Sequence, residues 1–386
     1  MSSKPGETKM LTKTQLILLG LSTGMLTLFL ESAKGIALPA RIESTTGIVK
    51  LKRQNWTEFK PVSINTELNK GDQIFPLQGV RVTVLCPDLQ QRPVSSGVPS
   101  GLKTICPIWE ALKAKNPPPP GSLGGTNALI PYLISPRHTL ILTDTPILRW
   151  NEVSQTRYYT IKVMDSQRII WEKQVSQTQI SYPGTPVFQP GIPYSVTIKT
   201  DGGQSSEQDK ASKIEFIRLH SSEVATIQDE VNKIEQLNIN KQTKALILAD
   251  FYGTYTLPTS TFNNYVLSSQ SLATYHLTSE AITILETTIK QGQNSAIIER
   301  NLADLYWQIG LANLATNHYL KAIELAQIPE QLEEKTLAQF GLGEVYAALG
   351  DNNQAKIWYS KAREGYLTLG DSARANFVIQ LIESLP

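Results

Sequence analysis

Ala303-Asp-Leu-Tyr306-Trp-Gln-Ile-Gly310-Leu-Ala-Asn-Leu-Ala315-Thr-Asn-His-Tyr319-Leu-Lys321-Ala322 returns forty residues later as Gly343-Glu-Val-Tyr346-Ala-Ala-Leu-Gly350-Asp-Asn-Asn-Gln-Ala355-Lys-Ile-Trp-Tyr359-Ser-Lys361-Ala362. Apolar residues recur at helical spacing through both copies, and from Ser221 onward very little Pro interrupts the pattern. Each copy therefore reads as two antiparallel helices. Small residues at Ala303 or Gly343 and at Ala315 or Ala355 let the helices approach, Tyr306 and Tyr346 fill the space between turns, and Gly310 and Gly350 end the first helix. A weaker copy places Ala281 and Leu285 thirty-four residues before Ala315 and Tyr319. Ile328 to Glu333 reads as an insertion that stretches one interval, a degenerate fourth copy falls around Ala245 to Tyr255, and a capping helix is expected from Ser372 to Leu385.

These positions resemble the tetratricopeptide repeat, whose unit is about 34 residues. The resemblance implies an α-helical solenoid over 221–386, with three repeats as about the minimum for a continuous core. It also implies a protein or peptide partner on the concave surface lined by the first helix of each repeat. On the clearest copy Leu302, Leu305, Tyr306 and Ile309 form the packed stripe, whereas Arg300, Asp304, Trp307 and Gln308 form another, with Glu344 equivalent to Asp304. The second stripe is the candidate peptide groove, with Trp307 as aromatic anchor and Arg300 as charged contact. The competing reading packs Trp307 on the neighbouring repeat and leaves the charges solvated. The basic, Asn-rich clamp with which some family members hold a C-terminal carboxylate is not apparent, so that ligand is not inferred.

Upstream of the helices the period changes to two. Leu148-Arg-Trp150, Tyr159 with Ile161 and Val163, Ile169-Ile-Trp171, and Tyr194 with Val196 and Ile198 fall at strand intervals between turn residues, which predicts a β-sandwich over 128–220. With Trp150 on an early strand and Pro190-Gly-Ile-Pro-Tyr194-Ser-Val-Thr-Ile198 near the end, it resembles a fibronectin type III domain, although Pro193 directly before Tyr194 departs from that pattern. Trp150 and Tyr194 read as core, the Tyr hydroxyl bonded to backbone. Ahead of the sandwich, 116–127 reads as a linker in which Pro117 to Pro120 is stiff and Gly121-Ser-Leu-Gly-Gly125 flexible.

The first β unit is expected over 41–115. Val49 and Leu51 share a face, Asn69-Lys-Gly-Asp72 turns, and Val80, Val82 and Val84 alternate with Arg81 and Thr83. Gly47-Ile-Val-Lys-Leu51, Leu68-Asn-Lys-Gly-Asp72-Gln-Ile74 and Val82-Thr-Val-Leu85 resemble the FecR domain, an extracytoplasmic β module. FecR proteins that control sigma factors carry a cytoplasmic segment ahead of a membrane span; here only about fifteen residues precede the apolar run, so transcriptional signalling is not carried over. Cys86 and Cys106, the only cysteines, most simply form one disulfide in an oxidising compartment. A redox pair or half of a metal site is the alternative, without C-x-x-C spacing or a neighbouring His to support it. Asn55-Trp56-Thr57 matches a glycosylation acceptor that matters only in a eukaryotic secretory pathway.

At the N-terminus, Lys4, Lys9 and Lys13 precede an uncharged run from Leu16 to Leu30, and Gly35, Ala37 and Ala40 follow, so 1–37 reads as an export signal. The run is shorter than a bilayer core requires, which favours cleavage over a retained anchor and limits membrane contact to an uncleaved signal. Across all 386 residues the charged fraction is 18% and the formal charge +2, which gives no electrostatic case for nucleic acid. His138, His220, His276 and His318 are scattered, and no zinc-protease, serine-hydrolase, P-loop or dinucleotide motif occurs, so neither catalysis nor a cofactor or metal is expected. The fold expectation is multidomain β plus α: a small FecR-like module, a sandwich, then the solenoid. The function expected is an exported, periplasmic or envelope protein-interaction scaffold. The alternatives are an envelope glycan-binding protein or a FecR-like sensory or regulatory protein. The combination resembles envelope proteins of cyanobacteria.

Overall fold

Apolar residues that alternate within short strands between Ala40 and Val94 close two small sheets on one core. The computed structural model describes residues 38–106, 118–119, 121–166, 168–211 and 214–386. The export signal expected over 1–37, the last part of the expected 41–115 unit and residues 116, 117 and 120 of the linker lie outside the described residues. Eight strands form the first unit: β1 (Ala40–Thr45), β2 (Val49–Lys52), β3 (Lys60–Val62), β4 (Glu67–Leu68), β5 (Gln73–Pro76), β6 (Val82–Leu85), β7 (Gln91–Val94) and β8 (Ser100–Gly101). One sheet runs β4-β1-β6-β7 and the other β3-β2-β5-β8, all antiparallel. Val49, Leu51, Val82 and Val84 are buried as their alternation predicts. The one-turn helix α1 (Leu102–Ile105) then leads to Cys106, which is bonded to Cys86 with the Cα atoms 5.5 Å apart. Both cysteines belong to the core of the unit.

The second unit contains β9 (Leu133–Ser135), β10 (Thr139–Ile141), β11 (Ile147–Trp150), β12 (Tyr159–Asp165), β13 (Arg168–Val175), β14 (Gln179–Ser181), β15 (Pro193–Thr200) and β16 (Phe216–Arg218). Its sheets run β10-β16-β15-β12-β13 and β14-β11-β9, with β10 parallel to β16. The core is aromatic: Trp150 meets Tyr159 edge-on, and Phe188 stacks on Tyr182 with ring centroids 4.3 Å apart. Tyr194 is buried, and its hydroxyl accepts the Gln189 N–H at 2.8 Å, the backbone bond expected for it.

From Ser221 the chain is helical: α2 (Ser221–Glu235), α3 (Lys241–Thr254), α4 (Ser269–Leu272), α5 (Thr278–Lys290), α6 (Ala296–Gln308), α7 (Ala312–Leu325), α8 (Leu332–Leu349), α9 (Asn352–Leu369) and α10 (Ser372–Ser384). The chain is thus β in its N-terminal part and α in its C-terminal part. Helix α3 packs on α5, α6 on α7, α8 on α9, and α10 closes on α9. The small residues have the physical role read from the repeat, since a Cβ on Gly343 would enter the Tyr359 ring. Gly310 and Gly350 take left-handed φ values of 76° and 80°, which only glycine adopts without strain, and so end α6 and α8. Ile328 to Glu333 forms a 3-10 turn and the first residues of α8, which has 18 residues against 13 in α6. Among the described residues no helix is long and apolar enough to cross a membrane.

Both β units and the helices fall within one compact unit, Ala37–Pro386. The glycine-rich part of the expected linker is fastened rather than loose. The Gly124 N–H donates to the Gly310 carbonyl at 2.8 Å, and Gly125 N–H donates to the Asp209 carboxylate. The fully buried Arg137 donates to the carbonyls of Ser122 at 2.8 Å and Ile309 at 3.0 Å. Burial pulls Arg137 down to about 10, an effect that Asp209 only partly offsets. Glycine at 124 and 125 read as flexibility; here it permits close approach of backbone to the α6–α7 turn.

Candidate interaction site

The stripe expected to face solvent on α6 is covered. Arg300 is 5% exposed and Trp307 6%, so neither lines an open groove. Arg300 Nε donates to Glu334 of α8 at 2.5 Å and Nη1 to Asp304 at 2.6 Å, while Glu67 of β4 lies 4.0 Å away. Asp304 also accepts the Tyr319 hydroxyl at 2.7 Å, and Gln308 donates to the Gly253 carbonyl of α3 at 3.2 Å. The Glu344 carboxyl is pushed up to about 7, first by burial and then by Asp304. Arg300, Asp304 and Glu344 thus belong to one desolvated network, with Trp307 packed in the interior. The reason is electrostatic: a buried guanidinium is tolerable only when carboxylates surround it, and Glu334, Asp304 and Glu67 do so here.

The covering element is the first β unit. Arg41 on β1 is fully buried; it pairs with Asp250 of α3, with Glu67 at 2.9 Å and with the Asn65 carbonyl at 3.0 Å. Asn65 Nδ2 donates to Gln242 at 3.0 Å, and the Asn240 N–H at the start of α3 donates to Glu43 at 3.0 Å. Arg53, just after β2, grips Glu333 of α8 through Nε and Nη2, both at 2.7 Å, and also donates to Asp72 at 2.7 Å. Two parallel bonds to one carboxylate fix orientation as well as distance. Burial opposes the charge on Arg53, but Glu333 and Asp72 outweigh it and hold the group above its ordinary value. Burial likewise opposes charge on Glu333, and Arg53 with Arg374 outweighs it, so that carboxyl lies below its ordinary value. Asp72 is pushed up to about 6 by burial, which Arg53 and the Asn69 N–H offset only in part.

Three residues beyond Arg53, Trp56 leaves the β unit altogether. Its ring joins the apolar cluster of Ala355, Tyr359, Ala362, Tyr366 and Leu369 on α9 and Val378 on α10. The Thr57 N–H donates to the Gly370 carbonyl at 3.2 Å, and Gly370, at φ 79°, has no room for a Cβ beside Thr57. Arg53 lies over the Trp56 ring at 5.6 Å, and Arg374 over Tyr366 at 4.6 Å. Sequence reasoning missed both Arg53 and Trp56. The available signal was a tryptophan in a short turn of a small module, and its residues were read only as a glycosylation acceptor.

Elsewhere the second β unit holds the helices through Arg149, which donates to Glu286 of α5 at 2.6 Å and to the Tyr306 hydroxyl at 3.3 Å. The four histidines stay apart in role. His138 meets Thr274 and Tyr275, His276 the Tyr255 carbonyl, His220 the Asn264 carbonyl, and His318 Glu299 at 2.7 Å. Among the described residues no group of three or more His, Cys, Asp or Glu could hold a metal ion. A cleft of about 640 Å³ opens where the first β unit meets the helices, lined by Ser63, Asn65, Asn240, Gln242, Ser295 and Glu334 among others. No protein-family model matches this chain, and no curated protein is significantly similar to it.

Proposed function

We propose that the chain is an exported, non-enzymatic protein-interaction scaffold whose helices form a tetratricopeptide-like solenoid. The first β unit is read as a FecR-like module and the second as a fibronectin type III-like sandwich. The observation that carries the reading is that the helical array receives a folded protein surface within its own chain, through Arg41–Asp250, Arg53–Glu333 and the inserted Trp56. An aromatic anchor beside a bidentate charge pair is the chemistry of a protein interface. The paired helices, the glycine ends at Gly310 and Gly350 and the Gly343–Tyr359 contact support the repeat assignment. The Cys86–Cys106 bond is consistent with an oxidising compartment such as a periplasm or cell envelope.

The glycan-binding alternative draws on one feature, the cleft lined by hydroxyl, amide and carboxylate groups. Affinity capture from the native envelope fraction with the full chain, run beside a glycan pull-down, separates the two. A protein partner that binds directly after purification supports the scaffold. Retention of glycan without any protein overturns it in favour of the alternative.

A further inference from the structure

The Trp56 turn is seated on the helices as a separate ligand would be, and its fit is incomplete. The indole lies in an apolar socket between α9 and α10, but its Nε1–H is buried and finds no acceptor among the described residues. A buried donor left without a partner weakens an otherwise well-packed contact. Around the socket the recognition chemistry is complete: the Glu333 carboxylate takes the Arg53 guanidinium through two bonds, and the Gly370 carbonyl takes the N–H of the residue after the tryptophan. The helical array therefore reads a short turn with Arg three positions before Trp.

We propose that this socket is a docking site for an Arg-x-x-Trp segment of a partner protein, and that the chain's own Arg53–Trp56 turn is the occupant such a segment displaces. The inference rests on the reading of the helices as a protein-binding array and names the chemistry of what they bind. Charge complementarity favours a cationic aromatic segment, because the buried Glu333 carboxylate, which Arg374 reaches at 3.4 Å, takes the Arg53 guanidinium through two bonds while the floor of the socket is Ala355, Ala362 and Leu369 with the Tyr359 and Tyr366 rings. Tethering gives the cis turn a high effective concentration, so binding in trans is weak until the turn is released.

The test uses the full chain and a labelled synthetic peptide of residues 52–58, Lys-Arg-Gln-Asn-Trp-Thr-Glu, with a control peptide carrying Ala in place of Trp. Trp56→Ala empties the socket and should bind the Trp peptide about tenfold or more tighter than the wild-type chain does. It should not bind the control, and adding Glu333→Ala should remove about tenfold of the gain. Equal binding to wild type and Trp56→Ala, or no binding to a Trp56→Ala chain that keeps its helical circular dichroism, overturns the docking site. Should Trp56→Ala fail to fold, Arg53→Ala loosens the same turn with the indole in place. Enhanced peptide binding by that variant supports the proposal, and unchanged binding overturns it. Peptide rejection by a folded variant leaves the scaffold reading to its own capture experiment, whereas peptide binding without any captured protein counts against the scaffold alone.

Discussion

Trp307 shows how a residue's chemistry can be legible while its exposure is not. Its position beside Arg300 and Asp304, off the Leu302 and Tyr306 stripe, suggested an anchor for a peptide; the indole is instead interior. Helical spacing assigns a face to a residue, but what covers that face is decided by β4 and α8, which periodicity within α6 does not reveal. Trp307→Ala should therefore lower stability by about 3–5 kcal/mol in urea unfolding. A loss below about 1 kcal/mol would show that the site is not packed. Glu280, at the start of α5, gives a second test at this scale. Burial pushes its carboxyl up from the ordinary 4.5 to about 8, with Oε2 unpaired. The folded state then keeps a proton that the unfolded chain releases, so this contribution to stability is complete below the unfolded value and is lost as the pH rises to about 8. Glu280→Gln preserves the neutral shape and should flatten that decline. Melting curves across this range that fall as steeply in the variant as in wild type would refute the assignment.

At the scale of elements, the parts with a strict local pattern were the readable ones. Gly310 and Gly350 end helices, Ala281 and Leu285 are buried, and α10 covers Ser372–Ser384 against the expected Ser372 to Leu385. These follow from period, turn chemistry and residue size, all of which act within one or two turns of chain. The stretch from Gly121 to Gly125 was misjudged for the converse reason, since its partners Gly310, Asp209 and Arg137 are remote in sequence. Close packing of α8 on α9 depends on Gly343 having no side chain, because a Cβ there would strike the Tyr359 ring. Gly343→Ala should cost about 1–3 kcal/mol through overpacking, in spite of alanine's better helix propensity. Pairing it with Tyr359→Leu should recover part of the loss; a single variant as stable as wild type would mean that the two helices can separate without cost.

For the whole molecule, the order of a β part followed by an α part was legible, and the way the elements fit together was not. Composition shifts and period changes mark where units begin, but they carry no information about Arg41 meeting Asp250 or Arg53 meeting Glu333 across most of the chain. The consequence is a helical part whose charged stripe on α6 is approached by the first β unit and whose α6–α7 turn is strapped by residues 122–125. That account depends above all on the Arg53–Glu333 pair coupling the first β unit to α8. A double-mutant cycle with Arg53→Ala and Glu333→Ala in the full chain, read by equilibrium unfolding, measures this coupling directly. The account predicts an interaction energy of about 2 kcal/mol or more, whereas single-variant losses that add to within about 0.5 kcal/mol would contradict it.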